Sequence, residues 1–401
     1  MICIEDKKKC CGCTACENIC PHKCISMVAD REGFFYPHVD VYNCIGCNLC
    51  EKVCPVLNHI TIINSPSARI IRHIDDEIVA DSTSGGGFSA IAAALMKYKT
   101  ATVYGVAYDE NMKVCHKCIT QEDNLKIFRG SKFVQSDLNS TFKEIKIRLG
   151  NKETVLFSGT PCQVVGLKRY LGDFNIKQLY CIDMACRGVP SPKLWKIYVT
   201  YMENKYHSKM IDAKFRNKTY GYKSSTMLVR FANGKTYKKS GRIDPMMKLF
   251  TKEMCSRPSC ADCAFKGESR VSDLTLFDCK KYTKVTGKKD DDKGYTAVLI
   301  QSQKGREMLE LAKNTIVEQE ADIDKLIKYC GIMINGKAQP NEKRNEFFEK
   351  LSVVPLDKLI EMVTPIGVKD IIIEVAKNFL YKTGLITIAR RMKKHEDIKI
   401  K

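Results

Sequence analysis

A small cysteine-bound module ahead of a larger α/β domain is the mixed α+β fold class that this chain predicts, and three observations predict it. Two cysteine runs near the start match position for position, Cys10, Cys13, Cys16, Cys20 and Pro21 recurring 34 residues later as Cys44, Cys47, Cys50, Cys54 and Pro55. Short apolar runs then alternate with helical patterns over about 76–340, the order of an open sheet covered by helices. Beyond residue 340 the pattern is helical and rich in lysine.

Residues 1–58 form the first unit, with a hairpin expected between the cysteine runs from strands at 25–29 and 34–39 about a turn at 30–33. Residues 59–75 read as a linker, because 58–68 is polar and contains proline and serine. Residues 76–150 carry a helix at 87–98 and strands at 102–108 and 113–120 about a turn at 109–112. Residues 151–340 continue with strands at 154–158 and 178–183, a helix at 193–206 and a basic, irregular stretch over 207–245. A strand at 296–301 and a helix from Lys304 follow. Residues 341–401 are helical and basic and include an amphipathic segment at 368–393. Asp370 and Glu374 within that segment favour packing on the body over a membrane surface.

Composition narrows the class. The chain has 401 residues, a formal charge of +20 and 21 cysteines, an odd number that an oxidising compartment would scramble. Its start, Met-Ile-Cys-Ile-Glu-Asp-Lys-Lys-Lys, lacks the apolar core of a signal peptide, so a reducing cytoplasm is expected. No apolar run approaches the roughly 20 residues of a membrane span; the longest covers 88–96 and reads as a buried helix. The lysines are spread along the chain, with neither a basic arm nor an aromatic-basic module, so nucleic acid is not an expected partner. A solvated basic surface able to dock acidic redox partners is the expectation.

Both cysteine runs read C-x2-C-x2-C-x3-C-P, the bacterial spacing that holds two 4Fe-4S clusters. Three cysteines two residues apart wrap one loop around a cube, and the fourth thiolate comes from the other run. The first cluster is therefore expected on Cys10, Cys13, Cys16 and Cys54, and the second on Cys44, Cys47, Cys50 and Cys20. Proline after each fourth cysteine ends the short helical segment and turns the chain toward the opposite cluster. Zinc modules fit worse, because ribbons pair two C-x2-C knuckles and need no further cysteines at these offsets. Across the duplication Cys11 and Cys24 align with Ile45 and Asn58, so neither is expected to be a ligand.

Three further segments carry chemistry. Ser82-Thr83-Ser84-Gly85-Gly86-Gly87 leads into an apolar helix. Successive glycines let backbone N–H groups approach an anion, which suits flavin phosphates, although the same residues also make an ordinary cap and turn. Phe157-Ser158-Gly159-Thr160-Pro161-Cys162-Gln163 stands where a strand passes into a helix, the edge at which α/β sheets bind ligands. Cys162 is either a small buried residue or a nucleophile, and no basic neighbour that would lower its pKa is visible nearby. Cys255-x4-Cys260-x2-Cys263 supplies three thiolates that need a fourth, with Cys186 the first choice and Cys279 or Cys181 the substitutes. A third 4Fe-4S cluster is preferred there over a four-cysteine zinc site. Cys115 and Cys118 have C-x-x-C spacing but fall on an expected strand, where residues three apart face opposite sides.

The order Ser84-Gly85-Gly86, Gly130-Ser131-Lys132-Phe133-Val134-Gln135-Ser136, Gly159-Thr160-Pro161-Cys162-Gln163, Cys186-Arg187-Gly188-Val189-Pro190 and Arg257-Pro258-Ser259-Cys260 with Cys263 resembles the beta subunit family of coenzyme F-420 hydrogenases and dehydrogenases over about 75–350. The resemblance implies FAD, a 4Fe-4S cluster and hydride exchange with a deazaflavin, and several members carry a fused two-cluster ferredoxin. It implies that Ser84 to Gly86, Ser131, Lys132 and Gly159 to Gln163 line the flavin site, and that Cys186, Cys255, Cys260 and Cys263 hold the cluster. Where the family usually has a glycine-containing turn, this chain has Phe277-Asp278-Cys279-Lys280-Lys281. Relatives with the fused module also resemble proteins associated with bacterial surface-polysaccharide synthesis. The expected function is an oxidoreductase that passes electrons between a hydride-carrying small molecule and a one-electron partner, protein or soluble carrier, through FAD and three clusters. The alternative is a non-catalytic electron-transfer or scaffold subunit that keeps the clusters without a substrate pocket.

Overall fold

The computed structural model describes residues 1–60 and 62–386. In chain order its strands are β1 (Ile25–Ala29), β2 (Phe35–Val39), β3 (Ser67–His73), β4 (Thr102–Tyr108), β5 (Val114–Ile119), β6 (Val155–Gly159), β7 (Leu179–Met184), β8 (Met210–Asn217), β9 (Thr226–Phe231), β10 (Thr236–Ser240), β11 (Leu274–Asp278), β12 (Thr296–Ile300) and β13 (Ile316–Ala321). β1 and β2 form an antiparallel hairpin, Ile25 opposite Val39 and Ala29 opposite Phe35. With a cysteine run on either side, the hairpin makes the small N-terminal unit.

The body is built on an eight-stranded sheet in the order β13-β3-β12-β11-β7-β6-β4-β5. β4, β6, β7 and β11 run parallel, and the pairings with β5, β12, β3 and β13 are antiparallel. β6, β11 and β12 are buried along their whole length, as strands covered on both faces must be. Alternation sorts those faces. Leu156, Tyr180 and Ile182 meet the Gly87–Lys99 and Gln303–Ala312 helices, whereas Val155, Phe157 and Cys181 meet Thr141–Gly150 and Pro161–Leu171.

Two stretches depart from the sequence expectation. The 59–75 linker runs into β3, which lies inside the sheet between β13 and β12. Arg69 and Arg72 interrupt the apolar run there, yet Arg69 pairs with Glu318 of β13 at 3.1 Å and Ala68, Ile70 and Ile71 are buried. Neighbours on both sides supply what the local pattern lacks. In place of an irregular 207–245 stands a three-stranded antiparallel sheet in the order β10-β9-β8. Register shifts between Met210 and Asp212 and between Lys214 and Asn217 break the alternation that would mark β8 as a strand.

That smaller sheet closes a second core. Phe215, Val229, Phe231 and Tyr237 pack with Trp195, Tyr198 and Met202 of the Pro192–Tyr206 helix, with Phe34 of the N-terminal unit, and with Phe347 and Phe348 of Arg344–Lys350. A buried ion pair reinforces the junction, Arg344 Nη1 lying 3.0 Å from Glu32 Oε1. Leu356–Val363 and Val368–Lys382 complete the described helices. Of the amphipathic segment expected at 368–393, residues 387–393 lie outside the described residues. Among the described residues no helix is long and apolar enough to cross a membrane.

Candidate metal centres

The duplication is visible in the backbone. Gly12 and Gly46 have φ of 70° and 68°, and Thr14 and Asn48 have 60° and 57°. Each run thus makes the same left-handed turn before a short helix, Ala15–Ile19 or Leu49–Lys52. The turn folds three cysteines toward a common point. Cys10, Cys13 and Cys16 line one cavity together with Cys54, and Cys44, Cys47 and Cys50 line another together with Cys20. Each cavity joins three thiols of one run to the fourth of the other. Cys24 also reaches the second cavity, its Sγ 3.3 Å from that of Cys20.

Among the described residues no three His, Cys, Asp or Glu side chains converge at single-ion distances; the cysteine sets enclose space. The first set is crowded. Burial pushes Cys16 up to about 12, with further upward pressure from Cys10 and Cys54, and burial also raises Cys54. Four thiolates cannot share such a place without cationic charge, and cationic iron, when bound, would displace their protons. In the second set the Ile2 N–H donates to Cys50 Sγ at 3.3 Å, a contact that stabilises a thiolate ligand. The donor sets fit 4Fe-4S cubes.

A third group forms at the carboxyl edge of the parallel strands. Cys162 lies in the first turn of Pro161–Leu171, after β6, where Thr160 and Gln163 make a capping box. Cys186 follows β7, the neighbouring strand, and Cys260 ends the short Pro258–Cys260 turn. Burial first, then the adjacent Cys162 and Cys263, pushes Cys186 up to about 12. Cys260 is raised by burial and by Cys186, Cys162 and Cys263, and Cys263 by burial and Cys162. Cys255 does not join them. It is fully buried in the second core beside Trp195, Met254 and Phe347, and its charged neighbours are Arg344 and Glu253. Neither substitute joins either: Cys279 faces Cys330 at 4.0 Å, and Cys181 sits inside β7 near Lys168 and Asp273.

The third group adjoins the first. The Cys11 thiol neighbours both Cys13 and Cys162, and a Cβ at Gly166 would lie 2.7 Å from Cys13 Cβ. Between them sits Arg257, 1% exposed. Its guanidinium donates to the Cys10 carbonyl at 2.8 Å, the Phe35 carbonyl at 2.9 Å and Gln135 Oε1 at 3.0 Å. It approaches Cys10 Sγ at 3.5 Å and stacks over Tyr36 at 4.3 Å. Arg257 and Gln135 are not among the site residues expected from sequence, although both stand inside motifs that carry cysteine or serine.

The residues expected at a flavin fall into two places on the same sheet edge. Ser84 Oγ bonds Thr296 Oγ1 at 2.9 Å, and Ser131 joins the turn through Thr83, its N–H donating to Thr83 Oγ1 at 2.7 Å. The glycines there have packing reasons. A Cβ at Gly85 would lie 2.8 Å from the Ile71 carbonyl and the Thr296 amide, and one at Gly87 2.8 Å from Ile71 Cδ1, while Gly86 has φ of 76°. The Gly85 and Gly87 amides already donate to Thr296 Oγ1 at 3.1 and 3.4 Å. Lys132 turns back on its own loop, donating to the Ile127 and Arg129 carbonyls at 2.9 and 3.2 Å, and burial pushes it down to about 7. Gln163 caps its helix through the Thr160 amide at 2.9 Å and donates to Ser136 Oγ at 3.0 Å. Between the two places are three strand steps, β12 to β11 to β7 to β6, about 14 Å.

Cations not anticipated from sequence gather beside the glycine turn. Lys218 Nζ donates to the Ser84 carbonyl at 2.6 Å, and burial pushes it down to about 8. Arg216 pairs with Asp278, both side chains under 10% exposed, and among the described residues its Nε and Nη2 have no hydrogen-bond partner. Apart from this, a cleft of about 1370 Å3 opens between the N-terminal unit and the body, lined by Gly12, Thr14, Met27, Gln135, Ser136 and Trp195 among others. None of the residues expected at a flavin lines it.

Residues 152–325 match the family model that describes the C terminus of the beta subunit of coenzyme F-420 hydrogenase/dehydrogenase, and residues 9–58 match that of a 4Fe-4S dicluster domain. No curated protein is similar enough to match the chain. Among solved structures, a chain of the xenon-derivatised F-420-reducing nickel-iron hydrogenase complex from Methanosarcina barkeri is similar at 17% identity, over 76% of this chain and 94% of that chain, with a TM-score of 0.41.

Proposed function

We propose, for a chain that carries a 4Fe-4S dicluster domain ahead of the C-terminal domain found in beta subunits of the coenzyme F-420 hydrogenase/dehydrogenase family, an iron-sulfur flavoprotein oxidoreductase that passes electrons between a hydride-carrying cofactor, a deazaflavin or similar, and a one-electron partner. The row of three cysteine sets carries this reading, because Cys162 of the third set adjoins Cys11, which lies between Cys10 and the Cys13 ligand position of the first. In it, Cys10, Cys13, Cys16 and Cys54 hold one cube, and Cys44, Cys47, Cys50 and Cys20 a second. Cys162, Cys186, Cys260 and Cys263 hold a third, Cys162 taking the place first expected for Cys255.

FAD, when bound, supplies the exchange between a hydride and single electrons that clusters cannot perform. Arg216 and Lys218 would face its phosphates beside Ser84, since a buried guanidinium with unpaired N–H groups suits an anion. The Gly159 to Gln163 turn, about 14 Å away, is within the span of an extended dinucleotide. A reducing cytoplasm fits the 21 thiols. One observation favours the second reading, a relay without a substrate pocket: Thr296 already takes the Gly85 and Gly87 amides.

Anaerobic purification with iron, sulfide and flavin analysis separates the two. The flavoprotein reading expects about twelve irons and one FAD per chain, with flavin retention lost in Arg216→Met. Cys162→Ser should lose about four irons and Cys255→Ser none; the opposite pattern returns the ligand to Cys255. Reduced deazaflavin and NADH are then offered separately while flavin absorbance is followed. Bleaching by neither, or no flavin after reconstitution, leaves the relay.

A further inference from the structure

The Val368–Lys382 helix is built inside out. Its polar side meets the body: Glu374, 2% exposed, accepts from the Ser240 N–H at 3.1 Å, and Asn378 accepts from the Tyr220 hydroxyl. Lys377 donates to Ser224 Oγ at 2.8 Å, and Asp370 pairs with Arg242 at 3.5 Å. Its apolar side faces outward. Val368, Ile372, Val375 and Phe379 follow the three- and four-residue steps of one helical stripe and are 73, 62, 63 and 63% exposed. Ile371 lies beside them, half exposed. A helix on a protein in water turns the other way. An outward stripe of five large apolar side chains covers on the order of several hundred Å2, the size at which a patch marks an interaction surface. Asp370 and Glu374, which in the sequence argue against a membrane surface, are the residues that the body takes up.

Charge selects the occupant. Lys369 and Lys382 are exposed at the two ends of the helix, Phe379 and Tyr381 are exposed toward its C-terminal end, and the following sequence contains Arg390, Arg391, Lys393 and Lys394. Apolar anchors combined with a basic cluster are the two signals that together hold a protein on an anionic bilayer, and a helix held to the body along its polar side cannot be enclosed by a partner's groove. We propose that this helix docks the chain on an anionic lipid surface, lying in the plane of the interface with its apolar stripe toward the acyl chains.

The test is flotation of the anaerobically purified full chain with vesicles of phosphatidylcholine, with and without phosphatidylglycerol. The chain should float with the anionic vesicles, only weakly with the neutral ones, and less as salt is raised. Val375→Asp with Phe379→Asp should lower the bound fraction at least about tenfold with iron content unchanged, since both side chains are on the surface. Changing Arg390, Arg391, Lys393 and Lys394 to Gln should weaken binding to the anionic vesicles while leaving weak binding to neutral ones. Absence of flotation with anionic vesicles, or equal flotation of the aspartate variant, overturns the proposal. So does self-association in light scattering that the aspartate variant disperses while no lipid is bound, which assigns the stripe to a second copy of the chain.

Discussion

The two cysteine runs are equal in sequence spacing and in backbone turn, but they stand in unlike surroundings. A Cβ at Gly12 would meet Gln135 Nε2 at 2.7 Å and Arg257 Nη1 at 2.8 Å, whereas one at Gly46 has nothing within 4 Å among the described residues. Cys13 is buried against the Pro161–Leu171 helix, whereas Cys47 is exposed, as are its neighbours Ile45 at 65% and Tyr42 at 97%. A duplicated module thus has one covered and one open half. An electron relay would use such a difference, its inner cluster close to the body and its outer one reachable by a partner.

The largest effect expected from breaking this difference is at Arg257. Arg257→Met strips three charge-assisted hydrogen bonds from the buried Cys10 and Phe35 carbonyls and from Gln135, and should cost about 3–5 kcal/mol in denaturant unfolding. In the same variant, potentiometric EPR should find the first cube harder to reduce, since a cation beside Cys10 Sγ favours the more negative state, with the second cube unchanged. Equal shifts in both cubes would contradict a covered and an open half.

The covered side extends to His116, which stacks on Phe157 at 5.3 Å and bonds Ser136 Oγ at 3.2 Å and the Ser158 carbonyl at 3.1 Å. Burial pushes it down to about 4. The unfolded chain takes up that proton near 6.5 and the folded chain only near 4. Stability is therefore lost as pH falls through this window, by about 3 kcal/mol. His116→Gln should flatten that part of the pH profile in denaturant unfolding; an unchanged slope would show that the ring is hydrated.

A matched pair of substitutions reads the difference directly. Gly12→Ala and Gly46→Ala each place a Cβ on a left-handed residue, at about 1–2 kcal/mol. Only Gly12→Ala also drives a methyl into Gln135 and Arg257, which should add about 2 kcal/mol. Equal losses in the two thermal unfolding curves would mean that the body does not press on the first run. The smallest effect belongs to the open side: Ile45→Asp should change stability by less than about 0.5 kcal/mol and keep all iron, yet slow electron delivery to a one-electron acceptor in stopped-flow reduction.

Legibility followed the range of the interactions. The strands at 102–108 and 296–301 could be read because burial on both faces leaves an uninterrupted apolar run. β3 could not, because Arg69 answers to Glu318, almost 250 residues away, and β8 could not, because its register shifts erase the period of two. At the third cysteine group, the motif joins Cys255 to Cys260 and Cys263 along the sequence. The fold separates them: the Ser191 N–H bonds the Cys255 carbonyl at 3.1 Å while the side chain enters the second core. The approach of Cys162 to Cys186 follows from β6 and β7 being neighbours, which puts the residues after them on one edge.

By itself the sequence determined two equal turns and the cysteines that each presents, since three thiols at two-residue spacing on one left-handed turn converge without help from the rest of the chain. Only the tertiary structure decided which turn lies under Arg257, which thiol approaches Cys186, Cys260 and Cys263, and which face of the Val368–Lys382 helix is turned outward. Each of those depends on a surface brought from far along the chain, and burial, unlike spacing, is a property that no local segment carries on its own.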